Sequence, residues 1–269
     1  MKIGKATLPR TAICTSDAHT IVVRGRDLSK ELIGKVSFTE HFFLLLVGRM
    51  PSAGEAAVLN ATLVAIAEHG LVPSVQAARM TFAAAPDAMQ GAVAAGILGC
   101  GSVVLGSSET AGRMYSEIDA RVAAGESLEV AALAVMHDWR AAGKAIPGYG
   151  HPLHKERDER VDALFAVARS AGTDLRFVAI AEAAEAALPK VLNKPLKLNV
   201  SGAIPAVLLG AGFPVQALKG VPILARTAGL IAHLFEEIGQ PIGFALSYQA
   251  TREMQYDGAL PSGFGSART

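Results

Sequence analysis

Residues 37–70 read SFTEHFFLLLVGRMPSAGEAAVLNATLVAIAEHG, and their punctuation decides the fold class. Ser37 is a favoured N-cap residue with Glu40 three positions later, the reciprocal capping box that opens a helix. Gly48 stops that helix, Pro51 and Ser52 turn the chain, and a second apolar-periodic run ends at Gly70. The same grammar recurs outward. Ser74 is expected to cap a helix over 74–85, and Ser127 and Gly143 bound an amphipathic helix over 127–143. Runs at 159–172, 174–188, 202–212 and 225–239 follow suit. Thr, Ile and Val cluster only near the start, around AICTS and HTIVVRG (19–25), where a short N-terminal β-hairpin is expected. No strand–helix alternation appears, which argues against a doubly wound sheet. The chain reads as mostly α.

Composition agrees. Hydrophobic residues make up 51% of the 269 positions and aromatic ones only 6%, so the interior is filled by Ala, Val, Leu and Ile. Such an interior suits closely packed helices better than an aromatic sandwich. A net charge of +1 gives no basis for nucleic-acid binding, although a local anion site remains open. Cys14 and Cys100 make no disulfide framework, and a cytoplasmic location is expected. The first residues lack an apolar run of signal-peptide length. The longest apolar stretch, 83–106, is broken by Pro86, Asp87, Gln90 and several glycines, and reads as buried helix rather than membrane span.

Two glycine-rich stretches, GCGSVVLGSSETAG (99–112) and GAGFPVQALKGVP (210–222), bracket the middle of the chain. They are either ordinary helix–helix turns or hinges. As hinges they divide the chain into a large domain, 1–107 with 215–269, and an inserted small domain, 108–214. Ligand sites favour clefts between such parts.

The chemistry concentrates in PGYGHPLHKERDER (147–160). Pro147, Gly148 and Gly150 permit unusual backbone angles and close approach of a ligand. His151 is suited to proton exchange near neutral pH. Arg160 falls at the start of the following helix, where a cation opposes the positive helix end unless an anion lies between them. Arg226, in LARTAGLIAH (224–233), repeats that placement. Two such arginines point to a polyanionic small molecule, since guanidinium and backbone amides together suit carboxylate or phosphate. A solvated turn with fortuitous charges is the alternative. His69, in AEHGLVPSVQAAR (67–79), either caps the last carbonyls of its helix or joins the site. His151, His154 and Glu156 lack a zinc-protease spacing, and GCGSVVLG lacks the dinucleotide-loop spacing, so neither a metal nor a bound cofactor is expected.

AEHGLVPSVQAAR, PGYGHPLHKERDER, LNVSGAIPAVLLGAGFP and RTAGLIAHLFEE, in that order, resemble the citrate synthase superfamily, and more closely its citryl-CoA lyase branch. The resemblance implies a mostly α fold with a large and a small helical domain, working as a homodimer or higher homo-oligomer. It implies a coenzyme A thioester and a di- or tricarboxylate as substrates. By this resemblance His69, Arg160 and Arg226 bind substrate carboxylates, and His151 exchanges the proton of the keto or hydroxyl oxygen. Arg252 matches, with its spacing shifted by one, an arginine that the family often takes from the partner subunit. The backbone of Pro147, Gly148, Tyr149 and Gly150 resembles the loop that cradles coenzyme A. Two positions depart from the family pattern. Gly106 or a neighbour stands where a synthase has the histidine that polarises the thioester carbonyl. Ser201 stands where it has the aspartate that removes the methyl proton. The expectation is therefore a citryl-CoA lyase-like enzyme with His151 and Ser201 at the reacting atoms. The alternatives are a catalytically silent carboxylate- or CoA-binding homologue and a condensing enzyme with altered catalytic residues.

Overall fold

The computed structural model describes residues 9–101, 105–150 and 157–264. Strands β1 (Cys14–Ser16), β2 (Ile21–Val23) and β3 (Arg26–Asp27) form an antiparallel meander. The expected hairpin is its first half, with Cys14 opposite Val23 and Ser16 opposite Ile21. The third strand is two residues long, too short to carry an alternating pattern.

Helix α1 (Phe38–Val47) opens as expected. The Ser37 hydroxyl accepts from the Glu40 amide, the Glu40 carboxylate accepts from the Ser37 amide at 2.7 Å, and Gly48 ends the helix at φ 84°. Helix α2 (Ala53–Ala67) repeats the device with Ser52 and Glu55, and it stops short of Gly70. Helix α3 (Pro73–Ala84) corrects one expectation: Ser74 is not its cap. Pro73 takes the first helical position, where a missing N–H is harmless, and Ser74 is buried in the first turn. There follow α4 (Met89–Leu98), α5 (Gly106–Ala123), α6 (Leu128–Ala141), α7 (Glu159–Ser170), α8 (Arg176–Leu192), α9 (Val200–Gly210), α10 (Gly220–Gly239) and α11 (Gly243–Glu253). Helix α5 begins inside the glycine-rich stretch 99–112, so the second half of that stretch is helix rather than hinge.

The chain divides into two compact units, Met1–Glu68 with Cys100–Arg226, and His69–Gly99 with Thr227–Thr269. This partition by packing is drawn on different lines from 1–107 with 215–269 against 108–214. Its physical reason is α2, which packs on α7 and α9 of the central segment. Gly54 of α2 lies so close to the end of α7 that a Cβ there would run into the Ala171 carbonyl oxygen.

The core of the first unit is built around Phe43, Leu59, Tyr115, Phe165, Ile180 and Leu188, with Phe43 meeting Phe213 edge to face at 5.3 Å. In the second unit Val75, Ala78 and Phe82 of α3 pack with Ala92, Leu230 and Leu234. The segment Val215–Gly239 is long and apolar enough to match a membrane span by length and composition. Val221, Ala225, Leu230 and Leu234 within it belong to cores, and Arg226, Glu236 and Glu237 interrupt it.

A buried arginine staples the second unit. Arg79 of α3 donates from Nε to Glu237 at 2.5 Å, from Nη1 to Glu236 at 2.6 Å and from Nη2 to the Gln240 carbonyl at 2.8 Å. Glu237 in turn accepts from the Gly243 amide at 2.7 Å and the Ile242 amide at 3.0 Å, which fixes the head of α11. Burial pushes the Glu237 carboxyl up, but those amides and the Arg79 guanidinium outweigh it and hold it below the usual carboxylate range. Such a group stabilises fully above its unfolded pKa, and the contribution is lost as pH falls through its folded value. Glu237→Gln is expected to cost about 3 kcal/mol at neutral pH, because it leaves a buried cation short of its counter-charge. The gap to the unsubstituted protein should close as pH falls below about 4. Urea titrations at neutral and acidic pH measure both effects.

Candidate active site

The loop at 147–150 is shaped by two left-handed glycines, Gly148 at φ 88° and Gly150 at φ 79°. A Cβ on Gly148 would meet the Gly202 Cα at 2.7 Å, and one on Gly202 would meet the Gly148 carbonyl oxygen at 2.7 Å. The loop therefore lies glycine on glycine against the first turn of α9. Asn199 clamps it there. The Asn199 amide donates to the Gly148 carbonyl at 3.0 Å, and its Nδ2 donates to the Gly150 carbonyl at 2.6 Å. The Gly150 amide donates to the Lys197 carbonyl at 2.7 Å. Asn199 also caps α9, its Oδ1 accepting from the Ser201 amide at 2.9 Å.

Tyr149 turns its side chain into the core. Its hydroxyl donates to the Ala181 carbonyl at 2.9 Å, so across the 3.0 Å contact with Tyr115 the donor is Tyr115. Burial raises both phenols well above their ordinary range, and the pair stays protonated. Pro147 instead lines an open cleft of about 690 Å³ with Ser107, Thr110, Arg113, Trp139 and Lys144. The Lys144 ammonium stands 4.9 Å above the Trp139 ring, and the indole N–H donates to Glu117 at 2.6 Å.

Arg160 occupies the second position of α7, against the positive helix end as expected. The anion between them is supplied by the chain itself. Asp158, the N-cap residue, accepts through Oδ1 from the Arg160 amide at 3.1 Å and from its Nε at 3.0 Å. Through Oδ2 it accepts from Arg160 Nη2 at 2.8 Å and from the Val200 amide at the head of α9 at 3.4 Å. Burial pushes the Asp158 carboxyl up, but the Arg160 guanidinium and the amides of Arg160 and Val200 outweigh it and hold it below the usual carboxylate range. Asp158 thus ties Arg160 to the turn that carries Ser201, which is half-buried at the second position of α9. The sequence reading missed Asp158, although an aspartate immediately before the 159–172 run is an N-cap signal.

Arg226 corrects a second expectation. Helix α10 begins at Gly220, so Arg226 stands in its second turn and not at its start. It is only 6% exposed, and its Nε and Nη1 have no hydrogen-bond partner among the described residues. Gly106 is buried as the first residue of α5.

His69 is the first residue of the second unit, exposed between α2 and α3 before the left-handed Gly70. Arg252 lies in the last turn of α11 in that same unit, exposed, its guanidinium 5.7 Å above the Tyr248 ring. The structure thus brings Arg160 and Ser201 together through Asp158 in the first unit, where Arg226 also lies. His151 and His154 fall outside the described residues. Among the described residues no three His, Cys, Asp or Glu side chains are grouped as a metal would need.

The glycine contact yields a discriminating prediction. Gly148→Ala places a Cβ on backbone in a left-handed conformation and is expected to cost about 3 kcal/mol. Gly150→Ala, whose Cβ would lie 3.4 Å from the Leu196 side chain, should cost about 1 kcal/mol. Chemical denaturation of the two variants separates these costs.

Comparison with known proteins finds relatives in both sequence and fold. The model of the citrate synthase C-terminal domain matches residues 10–242. A citrate/2-methylcitrate synthase of Bacillus subtilis is 28% identical over 211 residues, which cover 75% of this chain and 53% of that protein. The chain thus spans about half the length of that relative. The structure of citryl-CoA lyase from Hydrogenobacter thermophilus superposes with a TM-score of 0.83 at 32% identity, covering 95% of this chain and 96% of that one. ATP citrate lyase from Methanothrix soehngenii, solved with citrate and coenzyme A, superposes with a TM-score of 0.76 over 97% of this chain and 43% of that one. Its 22% identity is evidence for the fold alone.

Proposed function

The chain belongs to the citrate synthase family, and on that premise we propose that it is a carbon–carbon lyase acting on citryl-CoA or a related 3-hydroxy-3-carboxyacyl-CoA. The products are an acyl-CoA and a 2-oxo acid. The observation that carries this reading is Arg226, a buried guanidinium with two nitrogens that have no hydrogen-bond partner among the described residues. Taking a cation out of water without a counter-charge costs several kcal/mol, and a substrate carboxylate supplies the missing partner. The likeness to citryl-CoA lyase over nearly the whole of both chains supports the reaction class.

In the proposed reaction Arg160 and Arg226 hold the carboxylates. His151 accepts the hydroxyl proton as the carbonyl of the 2-oxo acid forms. The carbon–carbon bond breaks with its electron pair moving onto the carbon next to the thioester carbonyl, as the enolate of the acyl-CoA. A water held by Ser201 protonates that carbon, and the proton taken up by His151 neutralises the hydroxide left behind. The thioester enters as substrate along 147–150, and no bound cofactor takes part. Ser201 and Gly106 in place of the family Asp and His favour a second reading, a silent homologue that binds carboxylate or coenzyme A without turnover. Incubation with citryl-CoA, following release of oxaloacetate, separates the two: binding without release belongs to the silent homologue.

The proposal includes a homo-oligomer in the cytoplasm. Ile231, Phe235 and Ile238 of α10 are exposed at spacings of four and three, one face of a helix, and Phe244 and Tyr248 of α11 are exposed as well. Arg252 follows one turn after Tyr248, so a partner seated on this face receives a cation beside the apolar contact. Phe235→Glu is expected to dissociate the assembly in sedimentation velocity.

Arg226→Met tests the site itself. Replacing an unpaired buried cation by an apolar side chain of similar length should leave the melting temperature without ligand unchanged or higher. Citrate affinity should fall by about 100-fold, the loss of a charge-assisted hydrogen-bonded pair. Calorimetric titration with citrate beside a thermal melt measures both.

A further inference from the structure

We infer that Asp158 is a positioning residue for the carboxylate site: it grips one edge of the Arg160 guanidinium so that the opposite edge is offered to the substrate. The inference rests on the proposed carboxylate-binding role of Arg160. A guanidinium has two edges that match a carboxylate, one formed by Nε and one Nη, the other by the two Nη atoms. Asp158 takes the first through bonds of 3.0 Å from Nε and 2.8 Å from Nη2. Among the described residues nothing takes Nη1, which leaves the end-on edge open. The side chain of Arg160 is partly exposed, while the carboxylate behind it is buried.

A helix cap alone does not account for this arrangement. Capping needs one oxygen on an early amide of the helix, a task that serine or asparagine performs as well as aspartate. Here both carboxylate oxygens are engaged, one shared between the Arg160 amide and Nε, the other between Nη2 and the Val200 amide. The same group therefore sets the aim of the arginine and the place of the helix head that carries Ser201. A long side chain such as arginine loses rotamer freedom when it binds, and holding it in advance removes that cost from the binding step.

Asp158→Asn and Asp158→Ser keep a capping oxygen and lose the charged grip. The full chain and both variants are titrated calorimetrically with citrate and, separately, with coenzyme A, with a thermal melt of each as the control for folding. The expected result is citrate affinity weakened by about tenfold or more in both variants, with coenzyme A affinity changed by less than about twofold. If the lyase activity is present, the same split appears as a raised KM for the carboxylate-bearing substrate with a smaller change in kcat. Citrate affinity unchanged in folded variants overturns the inference and leaves the functional proposal standing. Loss of a cooperative melt in both variants also overturns it, since Asp158 is then a structural cap. Failure of the unsubstituted protein to bind citrate removes the functional proposal itself, and the inference with it.

Discussion

A charge withdrawn from water must meet a counter-charge, and three arginines of this chain satisfy that constraint to three different degrees. Arg79 is satisfied fully, by two carboxylates and a backbone carbonyl from the same compact unit, and its task ends with holding α3, α10 and α11 together there. Arg160 is satisfied on one edge by Asp158. Arg226 is buried, and two of its nitrogens have no partner among the described residues. Protein architecture tolerates the first arrangement for stability alone. On the proposed reading the third is a cost to the folded state that a substrate carboxylate relieves.

The backbone around the candidate site is equally constrained. The loop at 147–150 reaches the first turn of α9 only because neither Gly148 nor Gly202 has a Cβ. That approach lets Asn199 bond to the loop on both sides of Tyr149 while capping its own helix. Tyr149 adds a pin into the core, where its hydroxyl joins Tyr115 to the backbone of α8. The loop is thus fixed from two directions, and Pro147 at its start faces the open cleft beside α5.

What was legible in the sequence was local. The box at Ser37 and Glu40 spans three residues and was readable before any tertiary contact was known, because it satisfies orphan amides of its own helix. Ser74 misled because Pro73 competes for the same turn and wins the first helical position. Helix α5 was hidden by glycine and serine in its first turn, residues whose weak helical propensity is overridden by burial of Met114, Tyr115 and Ile118. Arg160 stands at the helix start, as its sequence context implies, and Asp158, two residues away, supplies an anion to one edge of it. Arg226 stands further along its helix than its sequence context implies, and it is buried there. The Arg79–Glu237 pair, 158 residues apart, left no local trace.

The amides at the head of α9 bear on the chemistry that remains open to Ser201. Ser201 places a hydroxyl at the second residue of a helix whose first amides, those of Val200, Ser201 and Gly202, are engaged. Val200 donates to Asp158, Ser201 donates to the Asn199 side chain, and Gly202 donates to the Asn199 carbonyl. None is left to receive negative charge as an oxyanion donor would. The hydroxyl of Ser201 is then the polar group this turn contributes, able to hold a water but too weakly acidic and too weakly basic to exchange a carbon-bound proton unaided. On the proposed reading the burden of stabilising developing charge shifts to the arginines. A site built that way favours ligands that carry several carboxylates over a neutral acetyl thioester, and this follows from where the compensated and uncompensated charges lie.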